Sequence, residues 1–306
     1  MNTPPPPMSP PPTKNETALK DLEILASDTM QGRKPGSSGH EAARDFILKR
    51  FHTLELKAFS ENYQQTFLFS QGFQRQTGYN LIGWLEGTEF SKTFIVITAH
   101  YDHLGKQGRE TFNGADDNAS GVAALLALAT YFAQYPPKHS LIFVATDAEE
   151  GGLHGADAFV SAPPVNLSSI VLNINLDMLG IGGKRGQLHA LPAKGQSTIK
   201  AWLKQQAPRY NFPSMNLRIG APIPTRTQGI MNKVDWYKAS DHASFARVGI
   251  PYIYFGTDVH THYHQATDVY KNINHGFFSA ALHTVQEVLS SLDNAPHSST
   301  GLTLSQ

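Results

Sequence analysis

Phe94-Ile95-Val96-Ile97-Thr98-Ala99 runs straight into His100-Tyr101-Asp102-His103, and the next marked stretch is Asn113-Gly114-Ala115-Asp116-Asp117-Asn118-Ala119-Ser120-Gly121. The first run is apolar and β-branched, the composition of a buried strand. Residues 122–135, after the second run, are rich in Ala and Leu. They read as a helix with Ser120 as N-cap and Pro136-Pro137 as a stop. A His-x-Asp thus closes a strand, and two aspartates precede a helix. Open α/β sheets bind ligands at the carboxyl ends of their strands. The pair therefore predicts a metal site with Asp117 at its centre.

The pattern repeats further along. Residues 140–146 form a second buried strand, which ends in Asp147-Ala148-Glu149-Glu150-Gly151-Gly152. Residues 170–176 form a third, which ends in Asp177-Met178. Shorter strands are expected at 188–191 and 253–255. Helices are expected at 16–27, 39–56, 155–161, 197–207 and 277–292, and Thr/Phe/Tyr-rich extended segments at 63–69 and 73–85. The Pro- and Gly-rich residues 208–240 read as a loop over the site, and residues 260–270 as another. Strands alternating with helices predict an α/β protein, a three-layer α/β/α fold with a mostly parallel central sheet. No internal repeat or interdomain linker is visible, so residues 15–295 are expected to be one catalytic domain. Seven of the prolines fall in residues 1–14, which read as a disordered tether. Residues 296–306 read as a flexible tail.

Composition removes several classes of function. The 306 residues carry 25 basic and 25 acidic side chains with no basic block, so nucleic-acid binding has no electrostatic footprint. There is no cysteine, which excludes disulfides, thiolate ligands and a Cys nucleophile. The longest apolar run is far below the roughly 20 residues that span a bilayer, so no membrane span is expected. No signal peptide is visible after Met1-Asn2-Thr3.

Five metal-ligand candidates come from separate places: His100, Asp117, Glu150, Asp177 and His264. Two ions roughly 3.5–4 Å apart can share a bridging carboxylate and a water. Five ligands with one bridging give each ion three protein contacts. Imidazole and carboxylate donors favour zinc, while manganese and cobalt also fit. Glu149 adjoins Glu150 on a turn, where neighbouring side chains diverge. It is the natural general base, placed to take a proton from the attacking water and return it to the leaving amine. Asp102 and Asp268 are positioned to orient the imidazoles of His100 and His264.

These residues also match a family. Thr98-Ala99-His100-Tyr101-Asp102, Gly114 to Gly121, Glu149-Glu150-x-Gly152-Leu153-x-Gly155, Asn175-Leu176-Asp177-Met178, Ser240-Asp241-His242 and Tyr263-His264-x-x-x-Asp268 occur in this order. Leu25-Ala26-Ser27-Asp28, Gly32-Arg33 and Asn80-Leu81-Ile82-Gly83 extend the match. Together they resemble the bacterial dizinc aminopeptidases, family 28 of the metallopeptidases, from about residue 22 to residue 292. The resemblance implies the zinc exopeptidase (phosphorylase/hydrolase-like) fold. It implies that His100 and Asp177 hold one Zn(2+), that Glu150 and His264 hold the other, and that Asp117 bridges them. It also implies a cis peptide after Asp117, Tyr263 as an oxyanion donor, and peptide substrates with a free N-terminus. The reaction implied is hydrolysis of the N-terminal peptide bond by a metal-bridging hydroxide, with Glu149 as base. With the Pro-rich start, it suggests a periplasmic or secreted protein.

Each residue has a blander reading. His260, His262 and His264 could form a merely solvated loop, but Tyr-His-x-x-x-Asp singles out His264. Asp116 is a tempting ligand, yet the family pattern puts the bridge at the second Asp. Asp241 and His242 could shape the site, or simply be buried polar residues. Among competing functions, a single-zinc glutaminyl-peptide cyclotransferase shares the fold, but such enzymes typically carry Trp where this chain has Tyr263. Another amide hydrolase is a further alternative. A binding module that has lost its chemistry is disfavoured, because every ligand position and the base are filled.

Overall fold

The computed structural model describes residues 15–60, 62–72, 74–222 and 234–295. The two expected tails, 1–14 and 296–306, lie outside these residues, as does 223–233 within the predicted loop. Among the described residues the helices are α1 (Glu16–Leu25), α2 (Ser38–Thr53), α3 (Gly121–Gln134), α4 (His154–Ser161), α5 (Ser197–Gln206), α6 (His242–Arg247) and α7 (His275–Asn294). The strands are β1 (Lys57–Ala58), β2 (Gln64–Gln71), β3 (Gln74–Leu85), β4 (Phe90–His100), β5 (Gly105–Gln107), β6 (Glu110–Phe112), β7 (His139–Thr146), β8 (Ile170–Asp177), β9 (Gln187–Pro192), β10 (Asn211–Phe212), β11 (Met215–Ile219) and β12 (Tyr252–Gly256).

The centre of the sheet is β7-β4-β8-β12, all parallel. β7 and β8 are buried at every position, as parallel strands covered on both faces must be. Alternation assigns the faces. Ile95, Ile97, Leu141, Phe143, Leu172 and Ile174 pack with Leu22 of α1, Leu125 of α3 and Leu282 of α7. Val96, Ile142 and Val144 pack the other way, against Phe159 of α4 and Phe245 of α6. Each such side chain, fully buried, contributes about 1.5–3 kcal/mol. The predicted three layers are therefore present.

Antiparallel strands flank this centre. β3 pairs with β7, and β9 with β12. The two extended segments form one hairpin of β2 and β3. The Phe67 ring lies over Gly78, where a Cβ would fall 2.3 Å from it and the ring would have to shift.

Two local expectations fail. Residues 208–240, expected to be a loop, contain β10 and β11, which extend the main sheet beyond β9. Ser120 is not a cap, because residues 115–120 already form a wide helical turn that runs into α3. Asn118 supplies the cap: its Oδ1 accepts from Gly121 N at 2.9 Å. Ser120 Oγ turns back to donate to the Asp116 carbonyl at 2.7 Å. The wide turn leaves room for a side-chain acceptor three residues before Gly121, where α3 begins.

Candidate metal centre

The sheet delivers the candidate side chains to one edge. His100 is the last residue of β4 and Asp177 the last of β8. Glu149 and Glu150 sit on the turn after β7, and His264 on the loop after β12. Asp117 lies in the turn before α3, joined to Asn118 by the expected cis peptide. Ala148, Met178 and His264 have positive φ without being glycine. Left-handed backbone of this kind, strained for non-glycine residues, gathers at functional sites. Here it sits beside or at three of the six candidates, Glu149, Asp177 and His264.

The five predicted ligands come together around Asp117. His100 Nε2 is 3.3 Å from Asp117 Oδ1 and 3.6 Å from Asp177 Oδ1. His264 Nε2 is 3.1 Å from Asp117 Oδ2 and 3.2 Å from Glu150 Oε2. Donor atoms around one tetrahedral zinc, with bonds of 2.0–2.2 Å, stand about 3.3–3.6 Å apart. The two His100 separations fall within that range and the two His264 separations lie just below it. Asp177 Oδ1 is buried without a hydrogen-bond partner, a costly state for a carboxylate unless a cation meets it. The residues present therefore fit divalent metal. Among the described residues, the groups with ligand atoms within 4.8 Å of one another are His100, Asp117 and Asp177, and His103, Asp117 and Glu150.

The electrostatics agree. In the metal-free protein, burial pushes the Asp117 carboxyl up, but contacts with His100 and His264 outweigh it and hold the group well below the usual range. Burial pulls His264 down, yet Asp117 and Glu150 raise it to about 10. The clustered carboxylates thus hold protons on the imidazoles, and a divalent cation would displace them. Glu149 behaves differently. Burial, reinforced by Glu150, Asp177 and Asp241 against the pull of His100, lifts its carboxyl well above the usual range.

Supporting residues hold this arrangement. Asp102 Oδ1 lies 3.6 Å from His100 Nδ1. The same carboxylate accepts from the backbone N–H groups of Glu149 at 3.0 Å and Glu150 at 3.3 Å. It therefore couples one candidate ligand to the paired glutamates. Asp268, expected to orient His264, uses its carboxylate on backbone N–H groups instead, those of Asp116 at 2.9 Å and Asp117 at 3.1 Å. Asp116 faces away from the ligands. Its Oδ1 accepts from Gly180 N at 2.5 Å and its Oδ2 contacts His260 Nε2 at 2.9 Å. Asp241 accepts from Thr146 Oγ1 at 2.6 Å, and His242 contacts the Trp236 carbonyl at 3.0 Å.

Sequence reading missed Arg33, His103 and His260 as parts of the site. For His103 the signal was its place on the same strand end as His100. For His260 it was the His-rich loop, read there for one ligand only.

Beside the ligand candidates lies a cavity walled by Met178, Val234, Trp236, Tyr254, Val259 and Tyr263. Tyr263 stacks on His264, with ring centroids 3.9 Å apart. Burial, with Asp117 and the neighbouring carboxylates, raises its hydroxyl pKa well above the usual tyrosine range. A larger cavity of about 340 Å³, lined by Leu191 to Ser197 and Tyr237, contains none of the candidate ligands.

Comparison with known proteins resolves the family. The model of peptidase family M28 matches residues 80–289. The chain belongs to peptidase family M28. Those residues run from the start of the Asn80-Leu81-Ile82-Gly83 motif almost to the end of α7. The vacuolar membrane protease of Candida tropicalis is 32% identical over 184 residues, covering 57% of this chain and 19% of that protein. Its counterpart in Saccharomyces cerevisiae is 30% identical over 215 residues, covering 64% and 20%. The chain thus spans about a fifth of the length of the curated relatives it matches.

Solved structures share the M28 fold. The zinc aminopeptidase from Bacillus subtilis aligns with a TM-score of 0.71 at 18% identity, covering 95% of this chain and 99% of that one. Porphyromonas gingivalis glutaminyl cyclase aligns with 0.71 at 19%, covering 90% and 98%. A Zn-dependent exopeptidase from Parabacteroides distasonis aligns with 0.67 at 20%, covering 92% and 99%.

The expectation of a periplasmic or secreted protein is overturned, because these curated relatives are vacuolar membrane proteases. That expectation rested on the family resemblance and on a Pro-rich start, and a Pro-rich composition carries no address. Among the described residues no helix is long and apolar enough to cross a membrane.

Proposed function

We propose that this M28 chain is a dizinc aminopeptidase, with residues 15–295 as its catalytic domain. The observation that carries the reading is the division of Asp117: Oδ1 faces His100, and Oδ2 faces His264. Each oxygen belongs to a different set of donors. His100 and Asp177 would hold one zinc, Glu150 and His264 the other, and Asp117 both. When bound, the ions would polarise the scissile carbonyl and acidify the attacking water.

The rest of the chemistry belongs to the chain. Glu149 lines the same cavity as the ligands and accepts the proton that the attacking water sheds. Its raised pKa suits the second half of the task, delivery of that proton to the leaving amine. The Asp102 contact to Glu149 N fixes the turn on which this base stands. Tyr263 keeps its hydroxyl proton and offers it to the developing oxyanion. The apolar wall of Met178, Trp236 and Tyr254 receives the first side chain of a peptide with a free N-terminus. The carboxylates beside it attract the α-ammonium.

A glutaminyl-peptide cyclotransferase is the second reading, supported by the equal likeness to the Porphyromonas gingivalis enzyme. Such an enzyme works with one zinc, which would leave one of the two donor sets without a role. The test pairs hydrolysis of aminoacyl-p-nitroanilides with cyclisation of a Gln-terminal peptide, and counts metal by elemental analysis. Two zinc ions per chain and chelator-sensitive release of p-nitroaniline are expected. Glu149→Ala should keep both ions and lose turnover by about 10²–10⁴-fold. One zinc with cyclisation and no hydrolysis would overturn the proposal in favour of the cyclase.

A further inference from the structure

His103 is 1% exposed and sits three residues past His100 on the same strand end. Its backbone N–H donates to the Arg33 carbonyl at 3.2 Å. Its ring is wedged against Gly114, where a Cβ would fall 2.5 Å from His103 Cδ2. Nδ1 stands 2.7 Å from Glu150 Oε1, the spacing of a charge-assisted contact, although off the axis of an aligned hydrogen bond. Neither ring nitrogen has an aligned partner among the described residues. A buried imidazole with an idle nitrogen is costly, and the group that faces it is Glu150 Oε1, itself without an aligned partner.

The two oxygens of Glu150 stand in different relations to their neighbours. Oε2 is 3.2 Å from His264 Nε2, close to the spacing of two donors that share an ion. Oε1 is 2.7 Å from His103 Nδ1, well short of the about 3.3–3.6 Å expected of two donors on one tetrahedral zinc. We propose that His103 is a positioning residue of the second metal position: its imidazole holds Glu150 Oε1, so that Glu150 offers Oε2 alone to the ion. A carboxylate held in this way binds through one oxygen and leaves a coordination position free, as a catalytic site requires. Asp102, at Glu150 N, fixes the backbone of the same residue. The pair sets both ends of one ligand.

The inference rests on the two-metal reading, and its test separates the two. Zinc is titrated into metal-free wild type, His103→Asn and His103→Gln against a competing chelator, with circular dichroism to confirm folding. Asn places an N–H where Nδ1 stood, whereas Gln places one where Nε2 stood. Wild type is expected to bind two ions of distinct affinity. His103→Gln should weaken the second by about 10–100-fold, the usual loss on removing an outer partner of a ligand, and leave the first unchanged. His103→Asn should restore most of the second affinity. Equal affinities in all three proteins would overturn the role of His103. So would a loss in His103→Asn as large as in His103→Gln, which would make the imidazole itself a ligand. A wild type that binds a single zinc would instead overturn the two-metal reading.

Discussion

Behind the candidate ligands, Asp241 is fully buried and uses one of its two carboxylate oxygens. Oδ2 accepts from Thr146 Oγ1 at 2.6 Å, while Oδ1 has no hydrogen-bond partner. Burial, resisted by His100 and the Thr146 hydroxyl, pushes its pKa from 3.8 up to about 7. A folded-state pKa above the unfolded one means that the native protein keeps a proton the unfolded chain has released. Stability is then greatest below the unfolded value, falls as pH rises through the interval up to about 7, and levels off above it. Asp241→Asn removes this dependence and keeps an acceptor for Thr146. In thermal melts of the metal-free proteins, the variant's advantage over wild type should be small at about pH 4 and grow by several degrees towards about pH 8. An offset that stays constant across that range would show that the carboxylate is solvated rather than buried. His242, next along the chain, moves the opposite way. Burial lowers it to about 4, so it makes stability rise with pH up to about 6.5, but it does so in both proteins and cancels in the comparison.

At the scale of elements, one side chain joins the segment before α2 to the loops that carry the site. Arg33 is fully buried. Its guanidinium donates to the carbonyls of Tyr101 at 2.8 Å, Leu25 at 2.7 Å, Asn113 at 2.6 Å and Gly114 at 2.9 Å. Burial lowers its pKa to about 10, opposed by Asp268 and Asp102, so it remains charged at neutral pH. Gly32 makes the approach possible, for a Cβ there would fall 2.3 Å from the Phe112 carbonyl oxygen. Arg33→Met strands four acceptors in the interior and should cost roughly 3–5 kcal/mol, or about 6–20 °C in melting midpoint at the rate for domains of 150–250 residues. Arg33→Lys should recover little, because one ammonium cannot reproduce the planar fork. A midpoint within about 2 °C of wild type for Arg33→Met would mean that water replaces the guanidinium. Such a clamp is hard to see in a sequence, since its partners lie up to 81 residues away. The same is true of the contact between His260 and Asp116, 144 residues apart. What was legible was local. Each buried strand is an apolar run that stops at a ligand or a carboxylate: Ala99 before His100, Thr146 before Asp147, Leu176 before Asp177. α6, with six residues, is too short to show a helical period, and the antiparallel pairing of β9 with β12 leaves no mark on either strand.

For the molecule as a whole, the candidate centre adds ties between strand ends that the sheet already pairs and the turns beside them. Its side chains come from the ends of β4 and β8, the turn after β7, the turn before α3 and the loop after β12. Without metal, Asp117, Glu149, Glu150 and Asp177 face one another, balanced by imidazoles and, for Asp117 and Glu150, by the buried Arg33. Neighbouring carboxylates raise Glu149 and Asp177, on top of burial. Bound ions would replace that repulsion with bonds across the parallel strands. A ligand held at 1,000 times its dissociation constant stabilises the native state by about 4 kcal/mol, which corresponds to about 8–16 °C in this size range. Removing metal with a chelator should therefore lower the melting midpoint by that order, and returning zinc should restore it. Asp117→Asn should start from a low midpoint and respond little to either treatment, because both donor sets lose their shared member. His264→Ala should keep part of the response, because His100, Asp117 and Asp177 remain. Scanning calorimetry with metal content measured on each sample distinguishes these cases. A wild-type midpoint unchanged after elemental analysis shows the zinc gone would mean that zinc binds the native chain too weakly, or the unfolded chain too well, to stabilise the fold. Equal responses in Asp117→Asn and His264→Ala would count against a shared bridging carboxylate.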